Sequence, residues 1–358
     1  MPCKYNSGMA LVVTLAVVAV VITCVLELNR TVTRQAVAAH QQNDRFLARE
    51  KAMAGIHFGM AVLVQDAMDT LEDSLQEDWA NPETLGLAVE QMGFKPGDIR
   101  LRIEDELGKI QMNALIKGFP GHEVNWDQKM IWSKLLEFNR NENPGVNLPD
   151  PSQVINCAKD WLDSNDNEAV TGLSGAETDD YLRLETPYTC TNGPFEHPGE
   201  LFNLMGVTGE LFEFESETVT GIGDLYTVYG LSEKKSRDGK YYYPGRININ
   251  TARIEVLETL LPEGMSLRAE DLAAYRDQQD RQGAGFVNLL DKGWYERVIE
   301  FTEKEKSDFD RVIRYSSHIF SIRATGKENQ TRVTLRAVVQ REQANGWRCR
   351  VLQMVREL

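Results

Sequence analysis

The chain opens with a short polar segment followed by a long uncharged one, and this change is its clearest pattern. The apolar run extends from Met9 to Leu26, directly after Gly8. About 20 apolar residues in a helix are enough to cross a bilayer. No proline interrupts the residues that follow, so we predict one continuous helix over 9–75, with 9–28 as the membrane-spanning part.

The junction between the two segments is typical of type IV prepilins, in which a peptidase cuts after a glycine and the apolar stretch remains. This arrangement predicts cleavage between Gly8 and Met9, with residues 1–8 as the leader. The fifth residue of the mature chain is then Val13, where most pilins and pseudopilins carry a glutamate. We therefore expect Val13 to matter for assembly.

Other membrane-targeting segments share part of this pattern. A secretory signal peptide has an apolar core of about 7–15 residues that ends at a small-residue cleavage site, whereas Glu27 and Arg30 follow this longer run. A lipoprotein signal ending at Cys24 would need a small residue before the cysteine, and Thr23 stands there. An ordinary membrane anchor remains the open alternative. Lys4 favours a cytoplasmic N-terminus for either kind of anchor, although Arg30 and Arg34 beyond the span weaken this charge argument.

The second half of the predicted helix carries apolar residues on one side. At helical spacing they form a stripe that we expect to lie on a sheet, and its members are Phe46, Leu47, Ala54, Phe58, Ala61 and Val62. Gly55 and Gly59 lie within this stretch and allow close packing or a bend. This half of the helix is therefore predicted to belong to a folded part outside the membrane.

Strand-like alternation of apolar and polar residues occurs in separate parts of the chain. Residues 99–103 alternate first, and a hairpin-like turn over 105–109 leads into 110–113. Two short strand-like segments follow at 218–220 and 226–229. The C-terminal part alternates over three segments joined by polar turns, namely 319–324, 331–341 and 347–355.

The region between the first and the last strands is helical and rich in loops. Strands divided by a helical block indicate one α+β domain that carries an insertion. We therefore predict a sheet region formed by 76–113 and 310–358, which is interrupted by a mainly α-helical inserted domain over 114–309.

The net charge of the chain limits which partners it is expected to bind. It carries 54 Asp and Glu against 39 Lys and Arg, a net charge of −15. Binding of nucleic acid requires clustered basic residues that neutralise phosphates, so we expect no nucleic-acid partner. The five histidines show no zinc-ligand spacing, and the sequence has no glycine-rich phosphate loop. We therefore predict that the chain is not an enzyme.

Three of the five cysteines lie beyond the membrane-spanning part, at Cys157, Cys190 and Cys349. A Cys157–Cys190 disulfide is compatible with an oxidising periplasm. The spacing of the cysteines does not fix their pairing, so this bond is left open.

The densest cluster of acidic and amide side chains runs from Asp160 to Glu168, and a second acidic segment covers 175–181. Calcium takes about 6–8 oxygen ligands from carboxylates, amides and carbonyls. The alternate residues Asp163, Asn165 and Asn167 can direct their oxygens at one centre. The glycine and the closing glutamate of an EF-hand are absent. The spacing alone thus leaves two interpretations, a solvated acidic loop and a calcium site.

Several motifs follow one another in an informative order. Beside the Gly8/Met9 junction and its non-acidic fifth residue, they are Asp105-Glu106-Leu107-Gly108-Lys109-Ile110-Gln111-Met112-Asn113, Asp160-Trp161-Leu162-Asp163, Gly175-Ala176-Glu177, Asn192-Gly193-Pro194, Glu200-Leu201, Ile247-Asn248-Ile249-Asn250-Thr251-Ala252 and Ile322-Arg323-Ala324-Thr325-Gly326. In this order they resemble the general secretion pathway protein K family, the largest minor pseudopilins of type II secretion. The resemblance covers nearly the whole chain. It departs from the family at Met9, where phenylalanine is usual, and at Asn165, where aspartate is frequent.

The resemblance implies a type IV pilin-like fold, in which a long N-terminal helix lies on an antiparallel sheet and a large α-helical domain is inserted. In the family the inserted domain holds calcium. Carried over position by position, the implied calcium ligands are Asp163, Asn165, Glu177, Asp180 and Glu200.

The same resemblance implies a function at the tip of the type II secretion pseudopilus, where the protein initiates or caps assembly for protein export across the outer membrane. The implied partners are the other minor pseudopilins of the tip complex, the prepilin peptidase and the inner membrane. The chain is expected to cross that membrane once, with its C-terminal domain in the periplasm. Two alternatives stay open: a minor pilin of a type IV pilus, serving adhesion or DNA uptake, and a membrane-anchored periplasmic hydrolase that uses the acidic cluster.

A place at the tip would account for Val13. In a pilus the fifth-residue glutamate is thought to pair with the N-terminal amine of a neighbouring subunit, because an unpaired charge in the apolar core is costly. A subunit at the very tip has no neighbour above it and therefore no amine to neutralise. Val13 would cost nothing there and would disfavour insertion within the filament.

Overall fold

One helix dominates the N-terminal part of the protein. The computed structural model describes residues 7–165, 175–212, 221–232, 238–283, 285–344 and 346–357. Helix α1 extends from Ser7 to Asp69 without a break, which confirms the predicted continuous helix, although it ends earlier than expected. Its uncharged N-terminal part is exposed, and it is long and apolar enough to cross a membrane.

The end of α1 is fixed by contacts of the residues that follow it. The backbone N–H of Asp73 donates to Tyr315 O at 2.9 Å, and that of Leu75 donates to Asn250 O at 3.3 Å. Because these donors pair with distant residues instead of the preceding helical turn, the helix does not continue to residue 75.

Four antiparallel strands form the main sheet. They are β1 (Ile99–Asp105), β6 (Ile319–Glu328), β7 (Thr331–Gln343) and β8 (Trp347–Glu357), and they lie in the order β1-β6-β7-β8. The strands predicted at 99–103 and in the C-terminal part are confirmed. One face of the sheet, which includes Ile103, Ile322 and Ala337 in register, is buried against α1.

The side of α1 that packs on the sheet includes only part of the predicted apolar stripe. Phe46, Leu47 and Ala61 of that stripe are exposed, whereas Ala54, Phe58 and Val62 are half-buried. The buried side consists mostly of small residues at helical spacing, namely Ala48, Ala52, Gly55, Ile56, Gly59, Leu63 and Ala67. A Cβ added at Gly55 would lie 2.9 Å from Ala324 Cβ. The prediction is wrong for Phe46, Leu47 and Ala61, because close approach of helix and sheet places small residues on the buried side. Phe58 and Val62 of the stripe do pack against the cluster of α1 and the sheet.

The other helices follow α1 in short lengths. They are α2 (Pro82–Gln91), α3 (Trp126–Glu142), α4 (Pro151–Leu162), α5 (Thr178–Tyr181), α6 (Ile254–Leu260), α7 (Ala269–Arg276) and α8 (Glu303–Val312). Side-chain caps define where several begin. Asp150 Oδ1 accepts from Ser152 N at 2.9 Å, just before α4. The predicted helical character of the region between β1 and β6 is therefore confirmed for the described residues.

The residues after β1 do not form the predicted hairpin. A 3-10 helix, Glu106–Gly108, follows directly, and β2 (Ile110–Gln111) then pairs in parallel with β3 (Tyr226–Thr227). A second short parallel pair joins β4 (Ile247–Asn248) to β5 (Ile313–Arg314). The turn-like sequence thus marks the entry into the helical domain. The strand-like segment 218–220 lies outside the described residues.

Two large hydrophobic clusters divide the folded part. One joins α1, α2 and the main sheet, and it includes Ile56, Leu101 and Phe320. The other extends from Ile110 to Ile313 and fills the helical domain. Along the chain, the residues of the sheet cluster thus give way to those of the helical domain just after β1, and the sheet cluster resumes at β6. The architecture is α+β, with a helical domain inserted into a helix-on-sheet unit.

Candidate functional site

A buried polar cluster joins the helical domain to the sheet. Its centre is Asp105 at the end of β1, whose Oδ2 accepts from Thr251 Oγ1 at 2.6 Å, Ser317 Oγ at 2.6 Å and Asn248 Nδ2 at 3.0 Å. Burial raises the pKa of Asp105, and these donors oppose the shift. Residues from three separate parts of the chain therefore meet on one carboxylate.

Arg341 on β7 extends this cluster to the end of α1. Its Nη1 donates to Asp66 Oδ2 at 2.7 Å, and its Nη2 donates to Asp73 Oδ1 at 2.6 Å. Asp73 Oδ2 in turn accepts from the Ser317 N–H at 2.6 Å. The guanidinium also lies 5.0 Å from the centre of the Phe320 ring. A buried ion pair thus ties α1, the segment after it and the sheet together.

Three carboxylates at this point could suggest a metal site. Asp66, Asp73 and Glu77 place oxygens within 4.8 Å of one another. Arg341 already pairs with the first two, and Trp79 Nε1 donates to Glu77 Oε2 at 2.8 Å. Because the protein itself supplies a cation and donors to these acids, we assign the cluster a structural role.

Glu106 makes a second buried charge contact at the same junction. Its Oε1 lies 3.0 Å from Lys109 Nζ and 3.0 Å from Arg336 Nη2, while its Oε2 accepts from Thr227 Oγ1 at 2.7 Å. Burial alone would raise the pKa of Glu106, but the two cations outweigh it and lower the pKa to about 2. The ionised carboxylate therefore links the sheet to β3 of the helical domain.

Sequence reasoning did not find this junction. Asp105 and Asn248 stand in motifs of the resemblance, but spacing alone does not show that they meet. Their surroundings depend on Asp73 and Arg341, which are 268 positions apart. The one local signal is the alternation of β7, which places Arg341 on the same face as the apolar residues Ala337 and Val339.

The structure places two of the predicted calcium ligands together. Asp163 is fully buried at the end of α4, where its carboxylate forms an ion pair with Lys159 one turn earlier. The N–H of Asn165 donates to Asp163 Oδ1 at 3.2 Å. Burial raises the pKa of Asp163, although Lys159 opposes the shift. A lysine ammonium therefore already lies against this carboxylate.

The other three predicted ligands take part in caps of short helices. Glu177 is buried before α5, and its N–H donates to Asp180 Oδ2 at 3.2 Å. Asp180 Oδ1 accepts from Arg183 Nη1 at 3.0 Å. Glu200 Oε1 accepts from the His197 N–H at 2.7 Å, at the start of a 3-10 helix. The carboxylates of Asp180 and Glu200 therefore have protein partners at the oxygens named here.

The same region also offers amide oxygens to a hard cation. Asn165 Oδ1 and Asn192 Oδ1 are buried and have no hydrogen-bond partner in the part of the chain that the structure describes. The N–H of Gly193 donates to Trp161 O, which places this segment beside the end of α4. Calcium accepts amide and carboxylate oxygens, so this donor set fits the ion. Asn167, within 166–174, lies outside the described residues.

The two cysteines considered for a disulfide are both buried in the core of the helical domain, near Tyr181. Burial raises the pKa of the Cys157 thiol to about 12. The Cys157–Cys190 pairing therefore stays open, as it was in the sequence. Cys349 on β8 is half-buried, and its Sγ lies 3.6 Å from Met60 O.

The predicted processing and assembly residues lie on the exposed part of α1. Met9 is 69% exposed and Val13 is 56% exposed, and a Cβ added at Gly8 would meet no atom within 4 Å. These side chains are therefore accessible to lipid, to a peptidase or to a neighbouring subunit. Cleavage after Gly8 stays a prediction.

Comparison with known proteins relates the helical domain to a secretion protein. Residues 132–220 match the family model described as type II secretion system (T2SS), protein K. Type II secretion system protein K of Pseudomonas aeruginosa is 32% identical over 211 residues, which cover 55% of this chain and 56% of that protein. The chain thus spans little more than half the length of this curated relative.

The fold is also similar to a solved structure. A chain in the crystal structure of the GspK-GspI-GspJ complex from the type 2 secretion system of enterotoxigenic Escherichia coli matches with a TM-score of 0.60 at 16% identity. The match covers 91% of this chain and 99% of that chain. The α+β architecture is therefore shared over nearly the whole length of both chains.

Proposed function

We propose that this relative of type II secretion system protein K is a minor pseudopilin at the tip of the secretion pseudopilus, where it initiates or caps assembly for protein export across the outer membrane. The observation that carries the proposal is the position of the family match. Residues 132–220 lie in the helical domain, which is inserted between β1 and β6 of a sheet packed on α1. A bulky domain on a subunit with a filament-type helix suits a terminal position, because it obstructs addition of another subunit.

The proposed location is the bacterial inner membrane, crossed once by the uncharged part of α1, with the folded part in the periplasm. The long apolar stretch of α1 supports the single span, and Lys4 supports a cytoplasmic N-terminus. The proposed partners are the other minor pseudopilins of the tip complex and the prepilin peptidase, which would cut between Gly8 and Met9.

The proposed role is structural and not catalytic. The buried acids of the junction, Asp105 and Glu106, accept hydrogen bonds from several donors and hold two parts of the chain together. The buried Asp163 pairs with Lys159. These contacts give each of the three buried acids a role in stabilising the fold.

Intact mass spectrometry on membrane-extracted protein from its native host tests the processing. We expect a species that begins at Met9 and carries an N-terminal methyl group. A Gly8→Leu variant is expected to remain uncut, since glycine precedes the predicted cleavage site. An uncut parent chain would show instead that the apolar segment is an ordinary membrane anchor.

Secretion by a strain that lacks the chain tests the function. We expect exported proteins to accumulate in the periplasm and complementation with the parent chain to restore export. Unchanged export, together with loss of twitching motility or DNA uptake, would instead favour a minor pilin of a type IV pilus. Unchanged export without any pilus defect would contradict both assignments.

For the helical domain, we propose a calcium site that includes Asp163, Asn165 and Glu177, with Asp180 and Glu200 as the further candidates carried over from the resemblance. The buried Asp163 carboxylate and the unpaired Asn165 Oδ1 support it. Bound calcium would supply a positive charge that organises the residues around the end of α4.

Thermal unfolding of the full chain in detergent, with calcium chloride or with a chelator, tests this site. We expect calcium to raise the Tm of the parent and of the Asp179→Asn control, whose carboxyl group is exposed in the same segment. The rise should disappear in Asp163→Asn. An equal calcium effect in both variants would place the ion elsewhere, and no effect in the parent would contradict the site.

A further inference from the structure

The outer face of the main sheet, opposite α1, is basic in a chain that is otherwise acidic. Residues 114–309 hold 35 of the 54 acidic residues but only 19 of the 39 basic ones. The negative surplus of the chain therefore lies in the helical domain. On β1, β6 and β7 the outer face instead presents six basic residues, namely Arg100, Arg102, Arg323, Lys327, Arg332 and Arg336.

Strand register brings these like charges directly opposite one another. Arg102 of β1 faces Arg323 of β6, which in turn faces Arg336 of β7. Lys327 faces Arg332 in the same way. Like charges at directly opposite positions of neighbouring strands destabilise a sheet, so this arrangement calls for anionic partners.

The protein supplies such partners to one row of the face. Each of the three arginines in register has a glutamate, in the pairs Arg102–Glu104 at 2.8 Å, Arg323–Glu357 at 2.9 Å and Arg336–Glu106 at 3.0 Å. The fold therefore shows that carboxylates are the groups that satisfy basic residues on this surface.

The remaining three cations, which we call the basic triad, are Arg100, Lys327 and Arg332. In the described ranges of the chain no ion pair involves them. They line one open cavity of about 710 Å³. Thr325 and Thr334 share a hydrogen bond of 2.9 Å within it. The cavity thus combines three unneutralised cations with hydroxyl groups.

The acidic residues near the cavity are engaged elsewhere. Asp98, which also lines the cavity, and Glu328 beside it both pair with Lys51 of α1, at 2.9 and 2.7 Å. These contacts also fix the position of the cavity next to residue 51. At about 1.5 Å per residue, that point is about 35 Å along α1 from the end of the membrane-spanning part. At physiological salt, charges more than about 8 Å apart are largely screened from one another. Lipid headgroups are therefore too distant to neutralise the triad.

We infer that the basic triad docks an acidic polypeptide segment of a partner protein, whose carboxylates lie opposite Arg100, Lys327 and Arg332. The segment completes on these residues the pairing that Glu104, Glu106 and Glu357 provide on the neighbouring row. The inference rests on the sheet alone and holds whichever assembly the chain joins.

Fluorescence anisotropy with a labelled ten-residue polyglutamate peptide tests this docking on the full chain in detergent. The test variant is Arg100→Gln/Lys327→Gln/Arg332→Gln. The matched control is Arg281→Gln/Lys292→Gln/Lys304→Gln, which removes three exposed basic residues from the helical domain. We expect the triad variant to bind about tenfold more weakly or worse, the control to bind as the parent does, and added salt to weaken parental binding.

Two outcomes would overturn the inference. Equal binding by the triad variant and the parent would show that the cavity is not the docking site, and equal loss in both variants would show a general charge effect. Vesicles of phosphatidylglycerol and phosphatidylcholine serve as a second probe. If vesicle binding requires the triad and peptide binding does not, the face recognises lipid and not an acidic polypeptide. Unchanged circular dichroism of both variants would show that folding is retained.

Discussion

Arg341 Nη2 lies 2.6 Å from Asp73 Oδ1, and the side chains are only 7% and 1% exposed. This pair connects β7 to the segment that follows α1. Ser317, just before β6, donates its N–H to the same aspartate. The segment that leads from the helical domain into β6 and the segment that follows α1 therefore meet at the buried Asp73.

Replacement of Arg341 by alanine should strongly destabilise the fold. It leaves the buried Asp73 and the half-buried Asp66 without their cation, and loss of one partner of a buried ion pair costs about 3–5 kcal/mol. The control is Arg348→Ala, because Arg348 pairs with Glu342 on the surface and is 62% exposed; an exposed pair contributes less than about 1 kcal/mol. Urea unfolding of the full chain in detergent measures both, and similar midpoints would contradict a structural role of the Asp73–Arg341 pair.

Glu106 should contribute to the loss of stability in acid. Its pKa is lowered from 4.5 to about 2, since Lys109 and Arg336 outweigh the effect of burial. A lowered folded-state pKa means that the unfolded state binds the proton first, so this stabilisation is complete above about pH 4.5 and is lost as the pH falls toward 2. Glu106→Gln should lower stability at pH 7 and narrow its difference from the parent in acid.

The pH series for Glu106 needs a control for the removal of any one carboxyl group. Glu90→Gln removes a carboxyl group from the exposed side of α2. Unfolding midpoints between pH 2.5 and 7 are compared for the parent and both variants. A constant difference between Glu106→Gln and the parent across this range would show that Glu106 is not the titrating group.

Close packing of α1 on the sheet should make Gly55 sensitive to a single methyl group. A Cβ there would lie 2.9 Å from both Ala324 Cβ and Ile99 Cγ2, and Ala324 Cβ cannot move without its backbone. Overpacking costs about 1–3 kcal/mol, against a gain in helix propensity of about 1 kcal/mol. Gly55→Ala should therefore destabilise the protein by up to about 2 kcal/mol.

Gly86 supplies the matched control for Gly55. It lies within α2, and a Cβ there meets no atom within 4 Å. Gly86→Ala should raise stability by about 0.4–1 kcal/mol, since it restricts the unfolded chain without a clash. Stabilisation by both substitutions would show that the helix and the sheet are not in close contact at Gly55.

The C-terminal strands follow from the sequence because alternation is a local property. Residues 331–341 alternate, and β7 lies there. The buried side of α1 does not follow, because an isolated helix shows large apolar residues on more than one side. Phe46 is 57% exposed, whereas Ala48 is fully buried. Which side faces the sheet depends on how closely Ala324 and Ile322 approach, and this is a tertiary property.

The candidate sites also divide into contacts that local sequence determines and contacts that depend on the tertiary structure. Asp163 and Asn165 are neighbours along the chain, so their proximity follows from the sequence. The ion pair of Asp163 with Lys159 also has a local origin, at one helical turn. The junction around Asp105 is different, because its donors come from positions up to 212 residues away. Such contacts are fixed only when the sheet and the helical domain have formed.

Lys159 should supply part of the stabilisation that a calcium ion at Asp163 would otherwise give to the helical domain. Its ammonium pairs with Asp163 and is 7% exposed. Lys159→Met removes this cation and leaves the carboxylate buried, at a cost of about 3–5 kcal/mol without metal. If calcium binds at this carboxylate, added calcium should restore more stability to Lys159→Met than to the parent. Equal calcium effects on the two proteins, measured by thermal unfolding, would contradict a shared position of ion and ammonium.

Val13 should exclude the subunit from the shaft of the filament. It stands at the fifth position after the predicted cleavage site and is 56% exposed on α1. Val13→Glu supplies the acid that can pair with the N-terminal amine of a neighbour, so the variant should be found along filaments as well as at their ends. Val17→Glu places the same charge one turn further along α1, where no amine is expected, and should reduce incorporation because the charge stays unpaired in an apolar core.

Immunogold labelling of filaments from an overexpressing strain measures the placement of both variants. Parental label at filament ends and Val13→Glu label along the shaft would support control by the fifth residue. Terminal label for both proteins would show that the charge at this position does not decide placement. The helical domain between β1 and β6 would then have to act alone, since its bulk obstructs an incoming subunit whatever residue lies at position 13.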